Sequence, residues 1–310
     1  MMQHFSRVNA TTLKGTCLVT LSAITYGGIG YFGTEIMRTG MSVQTMLFWR
    51  FSLASIWILL FLSLSKNNTI RLTTKPLSSV IITFMLAIIA YSGSSAFYFL
   101  ASEEVGTGVA MVIFFFYPIF IALFAFCFSS WRFNRYAFSA LVAVTVGLLL
   151  LEHPQQGVFK LLGIILALIA ALSYAIYVFM GKYTVQLMDA KWQTFFICLG
   201  NVILFFVVAM LTHSFQFPQT LSTWFNIFAI GIVGTAIPMQ LLLEGLKWLS
   251  PLKAGILSVF EPIVTLILGF LLLHESISLT QMIGILVILL GAMLIHFDRV
   301  MITELVEENK

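Results

Sequence analysis

The sequence predicts an all-α integral membrane protein: ten transmembrane helices arranged as two inverted five-helix repeats around a central cavity. Three observations lead there. Of the 310 residues, 60% are hydrophobic and 9% charged, against about 25% charge in an ordinary soluble domain. The basic residues fall in alternate loops. The chain also resembles itself at an odd number of helices, so the second set must lie upside down relative to the first.

Ten apolar runs are long enough, or nearly so, to cross a hydrocarbon core of about 30 Å. They are 13–32, 43–64, 78–101, 107–128, 136–151, 158–180, 192–212, 223–243, 251–273 and 279–297. The first follows a polar stretch and lacks a small-residue cleavage site leading into a soluble domain, so it reads as a membrane helix and not a signal peptide. The fifth is the shortest. Connections are short: 152–157 joins the halves with little slack, and 213–222 is the longest polar break on the outer side. Two units result, 13–151 and 158–297, followed by a polar, acidic tail at 298–310 that carries Glu304, Glu307 and Glu308.

The charges fix an orientation. Arg7, Lys14, Lys66, Arg71, Lys75, Arg132, Arg135, Lys182, Lys191, Lys247, Lys253, Arg299 and Lys310 all fall on the side of the N-terminus, which is 13 of the 16 basic residues. Arg38 and Lys160 fall opposite, and Arg50 lies within a helix. Cytoplasmic loops carry the Lys/Arg excess, so both termini are expected in the cytoplasm. One helix more or fewer would scramble this alternation. Dispersed in loops, the basic residues make no nucleic-acid face.

The repeat is gapless over one stretch. Residues 101–151 advanced by 144 fall on 245–295, setting Ala110 on Ala254, Phe116 on Phe260, Pro118-Ile119 on Pro262-Ile263 and Gly147 on Gly291. Upstream, an offset of 148 sets Gly15 on Gly163, Tyr26 on Tyr174 and Gly33 on Gly181. Inverted repeats of this kind are a transporter architecture, with the substrate site near the midplane where the repeats meet.

Pro118, Pro238 and Pro262 stand inside spans, where neighbours or water must resatisfy the freed carbonyls. Two of the three occupy matched positions, which points to kinks used in gating. Gly27-Gly28-Ile29-Gly30 and Gly231…Gly234 allow bending or plain close packing. Cys17, Cys127 and Cys198 lie in apolar runs without metal-ligand spacing, and read as small packing residues.

Phe48-Trp49-Arg50-Phe51, Tyr117-Pro118, Glu261-Pro262 and His274-Glu275, taken in order with the repeat, resemble the EamA-type, ten-helix branch of the drug/metabolite transporter superfamily. The similarity covers about 13 to 297. The first half departs from the second at Ser130-Trp131, which stands where the second has His274-Glu275. The resemblance implies secondary transport in a bacterial inner membrane: export or exchange of small metabolites such as amino acids or their derivatives, by alternating access. It implies a small-molecule substrate, the lipid bilayer as surroundings, no cofactor or metal, and a monomer or loose dimer, with a proton as a candidate coupling ion. A passive facilitator of the same solutes is the alternative.

Within that frame Glu261 is the sharpest candidate for substrate binding or coupling. It lies ten residues into the ninth run, roughly 15 Å deep, where a carboxylate must face the bundle or a watery cavity. Desolvation works against the charged form of a carboxylate, which opens a proton-coupling role. A structural ion pair, or a bond to carbonyls freed by Pro262, is the other reading. Arg50 lies about 10–12 Å from the outer end of its helix. It can attract a substrate carboxylate, pair with Glu261 or Glu35, or snorkel outward. Tyr26 and Tyr174 match across the repeat and offer a stacking face with a polar tip. Tyr98 and Tyr117 add aromatic surface with Tyr91, Phe114 and Phe116, and Tyr117 is the counterpart of Glu261. Gln240 and Asn201 are polar groups inside spans. An intramembrane enzyme would need a catalytic constellation at one depth, yet His4, His153, His213, His274 and His296 lie at or beyond helix ends.

Single-cysteine labelling should find 66–75, 182–191 and 299–310 accessible from the cytoplasm and 213–222 from outside. Labelling of 66–75 from outside would sink both the helix count and the orientation.

Overall fold

The computed structural model describes residues 2–64, 77–128, 135–151, 160–273 and 278–294. The predicted cytoplasmic segments at 66–75 and 299–310, the connection 152–157, the tail, and the Ser130-Trp131 and His274-Glu275 pairs lie outside these residues. So do Arg132, His153 and His296.

Among the described residues every regular element is helical: α1 (Met2–Tyr26), α2 (Ile29–Met37), α3 (Val43–Leu64), α4 (Leu77–Val105), α5 (Thr107–Phe114), α6 (Tyr117–Phe128) and α7 (Arg135–Leu151), then α8 (Leu161–Leu187), α9 (Ala190–Leu211) and α10 (Leu221–Phe228). A π-helical segment, Ala229–Ala236, joins α10 to α11 (Ile237–Leu246), and α12 (Pro251–Leu257), α13 (Phe260–Leu273) and α14 (Leu279–Leu294) follow. Among the described residues seven stretches are long and apolar enough to cross a membrane: Val43–Leu64, Ser78–Val105, Thr107–Phe128, Leu161–Leu187, Ala190–Leu211, Leu221–Leu246 and Pro251–Leu268. α7 and α14 are shorter apolar helices. The chain is an integral membrane protein.

α4 shows how these helices are patterned. Ile81, Ile82, Met85, Leu86 and Ile89 are exposed at helical spacing, while Phe84, Ala87, Tyr91, Ser94, Ser95, Tyr98, Phe99 and Ser102 are buried. Between Ile81 and Ser102 no residue is charged, and all the serines, Ser92, Ser94, Ser95 and Ser102, lie on the inner face. Lipid tails are as apolar as Leu, so burial of aliphatic groups gives helices no reason to associate; small residues and interhelical hydrogen bonds do. α4 packs most extensively on α8, α7 on α14, α3 on α9, and α1 on α11. Ser92 donates to the Asn201 side-chain oxygen at 2.7 Å, tying α4 to α9. Gln193 and Thr184 are hydrogen-bonded inside the bundle.

Four spans are interrupted, and here the structure departs from the sequence reading. The first run, expected to end at 32, is two helices that meet at Gly27-Gly28 and continue to Met37. The fourth breaks between α5 and α6, the ninth between α12 and α13, and the eighth passes through the π segment. Pro118 and Pro262 are not kinks within continuous helices: each stands in the first turn of a new one, α6 and α13, where a missing N–H leaves nothing unpaired. Pro238 differs, since the π segment runs straight into α11 and the helical backbone is continuous through it.

α7 and α14 touch backbone to backbone. A Cβ built on Gly147 would lie 2.8 Å from the Gly284 carbonyl oxygen and 3.0 Å from the Ile288 nitrogen. Gly147→Val should force these helices apart. Overpacking of this kind typically costs about 1–3 kcal/mol, so the melting temperature of the purified protein should fall; an unchanged melt would mean that the two helices are not locked at this point.

Candidate functional site

The interruptions surround a cavity with about 410 Å³ of empty space, counting its open mouth. Its wall is built from Tyr26 of α1, Ile29 of α2, Arg50 of α3, Tyr91, Ser94, Ser95, Tyr98 and Phe99 of α4, Phe114 of α5, Tyr174 of α8 and Glu261 of α13. Of the residues expected to bind or couple, Glu261, Tyr26, Tyr174, Arg50 and Tyr98 therefore meet at one place.

Glu261 is positioned by two breaks. The turn at Ser258–Val259 starts α13 inside the bundle and leaves Glu261 in its first turn, where the helix dipole favours negative charge. The break in the first span receives it. Gly27 has no side chain, and a Cβ there would lie 2.6 Å from Val264 and 3.1 Å from the Glu261 carbonyl oxygen. Thr265 donates to the Gly27 carbonyl at 2.8 Å, so the helix break that frees this oxygen also anchors α13. The carboxyl is half-buried and faces the cavity.

Arg50 is 3% exposed. Its Nε donates to Thr235 Oγ1 at 2.6 Å, and Nη2 lies 3.5 Å from the Tyr91 hydroxyl. That hydroxyl shares a hydrogen bond with Tyr26 at 3.2 Å. Thr235 in turn donates to the Ile230 carbonyl, five residues back, at 2.7 Å, so the π segment presents its hydroxyl as an acceptor. A guanidinium has five N–H donors, and these contacts occupy two. Among the described residues no carboxylate lies within 4.0 Å of it: Glu35 pairs with Arg38, Glu104 with Lys160 and Glu244 with Lys247. Of the alternatives for Arg50, the pair with Glu261 or Glu35 is therefore absent, and its burial leaves no outward snorkel. A buried cation and a carboxylate share one cavity without meeting.

Two expected residues stand elsewhere. Tyr117 is fully buried behind the wall, its ring edge-on to Tyr174 at 4.7 Å and its hydroxyl donating to the Gly255 carbonyl at 3.2 Å. Its ring also packs on Phe114, with centroids 5.5 Å apart, so it backs two residues of the wall instead of lining the cavity. Gln240 is half-buried on α11 and is not part of the cavity wall. The wider π turns shift the register of the eighth span, and Thr235 is the residue turned to Arg50 instead. Asn201 serves packing, with its amide donating to the Ile197 carbonyl at 2.8 Å. Cys198 lies against the Met239 sulfur at 3.8 Å.

Sequence reasoning gave Tyr91 no more than aromatic surface and passed over Ser94, Ser95, Phe99, Ile29 and Thr235. For α4 the signal was available: positions 91, 94, 95, 98 and 99 follow helical spacing, and all but the last carry hydroxyls. No comparable pattern marks Thr235, because the π segment breaks the period.

Broken helices around a membrane-buried cavity with charged groups are the architecture of a solute carrier. The chain belongs to the EamA-like transporter family, whose profile matches residues 13–152 and 161–297. It is 26% identical over 300 residues to an uncharacterised inner membrane transporter, YicL, of Salmonella typhimurium, covering 93% of this chain and 97% of that one. It is 27% identical to protein PecM of Dickeya dadantii over 64% of this chain and 68% of that one. An uncharacterised transporter of Archaeoglobus fulgidus is 30% identical over 149 residues, so this chain spans about half of that protein's length. A protein of known crystal structure superposes with a TM-score of 0.77 over 90% of this chain and 95% of that one, at 16% identity, a likeness of fold alone.

Thr235→Val keeps the shape of the side chain but leaves Arg50 Nε without its acceptor. A buried donor left unsatisfied costs about 1–3 kcal/mol. The variant should melt lower than the wild type, and an equal melt would mean that Arg50 finds another partner.

Proposed function

We propose that the protein is a secondary active transporter that exports or exchanges small zwitterionic metabolites, of the amino-acid kind, by alternating access of two inverted repeats. On this reading α1–α2, α5–α6, α10–α11 with the π segment between them, and α12–α13 each make one crossing. With α3, α4, α7, α8, α9 and α14 they give ten. Residues 13–151 and 158–297 are then the two halves, with both termini cytoplasmic in a bacterial inner membrane.

Exchange of contacts supports the repeat. At an offset of 144, Gly147, which meets Gly284 and Ile288, corresponds to Gly291, which meets Ala140 and Val144, the counterparts of those same partners. Gly15 meets Trp248 and Leu249, while Gly163, 148 residues on, meets Glu104 and Val105, each 144 residues back. Helix pairs exchange likewise: α4 with α8 for α11 with α1. Contacts that swap in this way support a two-fold axis, which on this reading lies in the membrane plane because each repeat has an odd number of helices.

The observation that carries the substrate class is the unpaired Arg50 and Glu261 on one aromatic-walled cavity. An isolated charge in apolar surroundings is costly, so a ligand bearing a carboxylate for Arg50 and an ammonium for Glu261 satisfies both at once. The phenols of Tyr26, Tyr91, Tyr98 and Tyr174 offer hydrogen bonds and ring faces to the rest of the molecule. Export or exchange and proton coupling through Glu261 follow from the family and from this placement.

A thermal-shift screen of the purified protein tests this. Zwitterionic amino acids should stabilise it, whereas analogues lacking either charge should do so at concentrations at least about tenfold higher, a difference of about 1.4 kcal/mol. Arg50→Gln should erase the discrimination against analogues without the carboxylate, and Glu261→Gln that against analogues without the amine. Glu261→Gln should also abolish transport in proteoliposomes while the protein stays folded. A Gln variant that transports at the wild-type rate across pH would defeat the coupling role, and stabilisation by dianions or dications alone would defeat the zwitterion class.

A further inference from the structure

Tyr117 and Glu261 occupy the same place in the two halves, 144 residues apart, and so do Met111 and Gly255. One of the two possible contacts among these four residues is made. α6 packs on α12, the Tyr117 hydroxyl donates to the Gly255 carbonyl at 3.2 Å, and a Cβ on Gly255 would lie 3.1 Å from Ile121 and 3.4 Å from Tyr117. The bundle is shut at this level. The counterpart pair, α5 and α13, makes no comparable packing; the cavity lies between them, with Phe114 and Glu261 in its wall.

Halves built alike can exchange shapes, and a carrier with inverted repeats reaches its opposite conformer in this way. This step rests on the inverted-repeat reading above. After the exchange α5 and α13 are the closed pair, and Glu261 stands to Met111 as Tyr117 now stands to Gly255. The phenol is a donor. A carboxylate has only acceptor oxygens, and a carbonyl has nothing to give it; a protonated carboxyl can donate. We infer that the Met111 carbonyl is a second docking site for the Glu261 side chain, formed when α5 and α13 close, and that it accepts only the protonated acid. Met111 brings a side chain where Gly255 has none, but an unbranched one that can bend aside.

The charged and titratable groups around Glu261 set the competition. Arg50 faces it from α3, with Tyr26 from α1, Tyr91 and Tyr98 from α4 and Tyr174 from α8. Tyr117 stands behind Tyr174 on α6, and α12 carries Lys253. α2, which packs on α13, carries Tyr31 and the Glu35–Arg38 pair. None of the phenols competes for the role, because each is already a neutral donor. With the carboxyl ionised, the cavity stays open and holds a cationic group; with the carboxyl protonated, that group is released and the outer pair can close. Proton and substrate ammonium thus exclude one another at a single carboxyl, which is the condition for exchange.

The test is the α5–α13 distance. In the full chain with Cys17, Cys127 and Cys198 replaced by Ala, spin labels at Gly108 and Leu271, both exposed, report it by pulsed electron paramagnetic resonance. The wild-type distance should shift from long to short between high and low pH. Glu261→Gln, whose amide always donates, should be short at both, and Glu261→Ala long at both. If the Gln variant does not fold, Glu261→Tyr rebuilds the contact now made at Gly255 and should likewise be short at both. A wild-type distance that shortens equally at every pH, or a Gln variant that stays long, overturns the proton requirement and leaves alternating access standing. Labels that never approach while proteoliposomes still transport would overturn alternating access itself.

Discussion

Within a bilayer every backbone N–H and C=O must find a partner inside the protein, and this constraint decides where the chain can interrupt its helices. The four interruptions, at Gly27-Gly28, Phe115–Phe116, the π segment and Ser258–Val259, lie next to the cavity or turn a side chain towards it. Side-chain hydroxyls serve three of them. Thr265 donates to the Gly27 carbonyl, Thr235 to Ile230, Ser22 to the Pro238 carbonyl at 2.7 Å and Tyr117 to Gly255. At those three the irregular backbone lies where hydroxyl side chains can serve it, close to the cavity.

The same economy explains the charges. Arg50 is held by a threonine and brought near a tyrosine, neither of which can neutralise it. Glu261 is held by its backbone, through Gly27 and the start of α13, while its carboxyl is left to the cavity. A direct pair would have been easy to build from two such residues, and it would have filled the cavity with its own salt bridge. Keeping them apart leaves both charges to be satisfied by whatever enters.

The helices themselves were largely legible. Apolar runs, alternate basic loops and the matched Pro and Gly positions located the spans that α3, α4, α8 and α9 occupy, because lipid contact demands uninterrupted apolar stretches and a period of 3.6. Glu261 and Arg50 were also legible, since charges at that depth stand out from their surroundings. Tyr117 keeps to the side of Phe114, but Phe114 and Tyr174 pack on it and take the places in the wall. Gln240 was misplaced because it follows the π segment, and helical phase carried across such a segment no longer predicts which way a side chain points. Thr235 was missed for the converse reason, because the π segment turned it towards Arg50 against the helical period.

By itself, then, the sequence determined the apolar spans, their order and the identity of the intramembrane charges, all of which depend on composition and local period. Only the tertiary structure decided that Arg50 and Glu261 share a cavity without pairing, that Tyr117 seals one level of the bundle, and that α5 and α13 stand apart. Those outcomes depend on where helices break and how far they rotate afterwards. Contacts between segments more than a hundred residues apart settle both, and local sequence carries no record of such contacts.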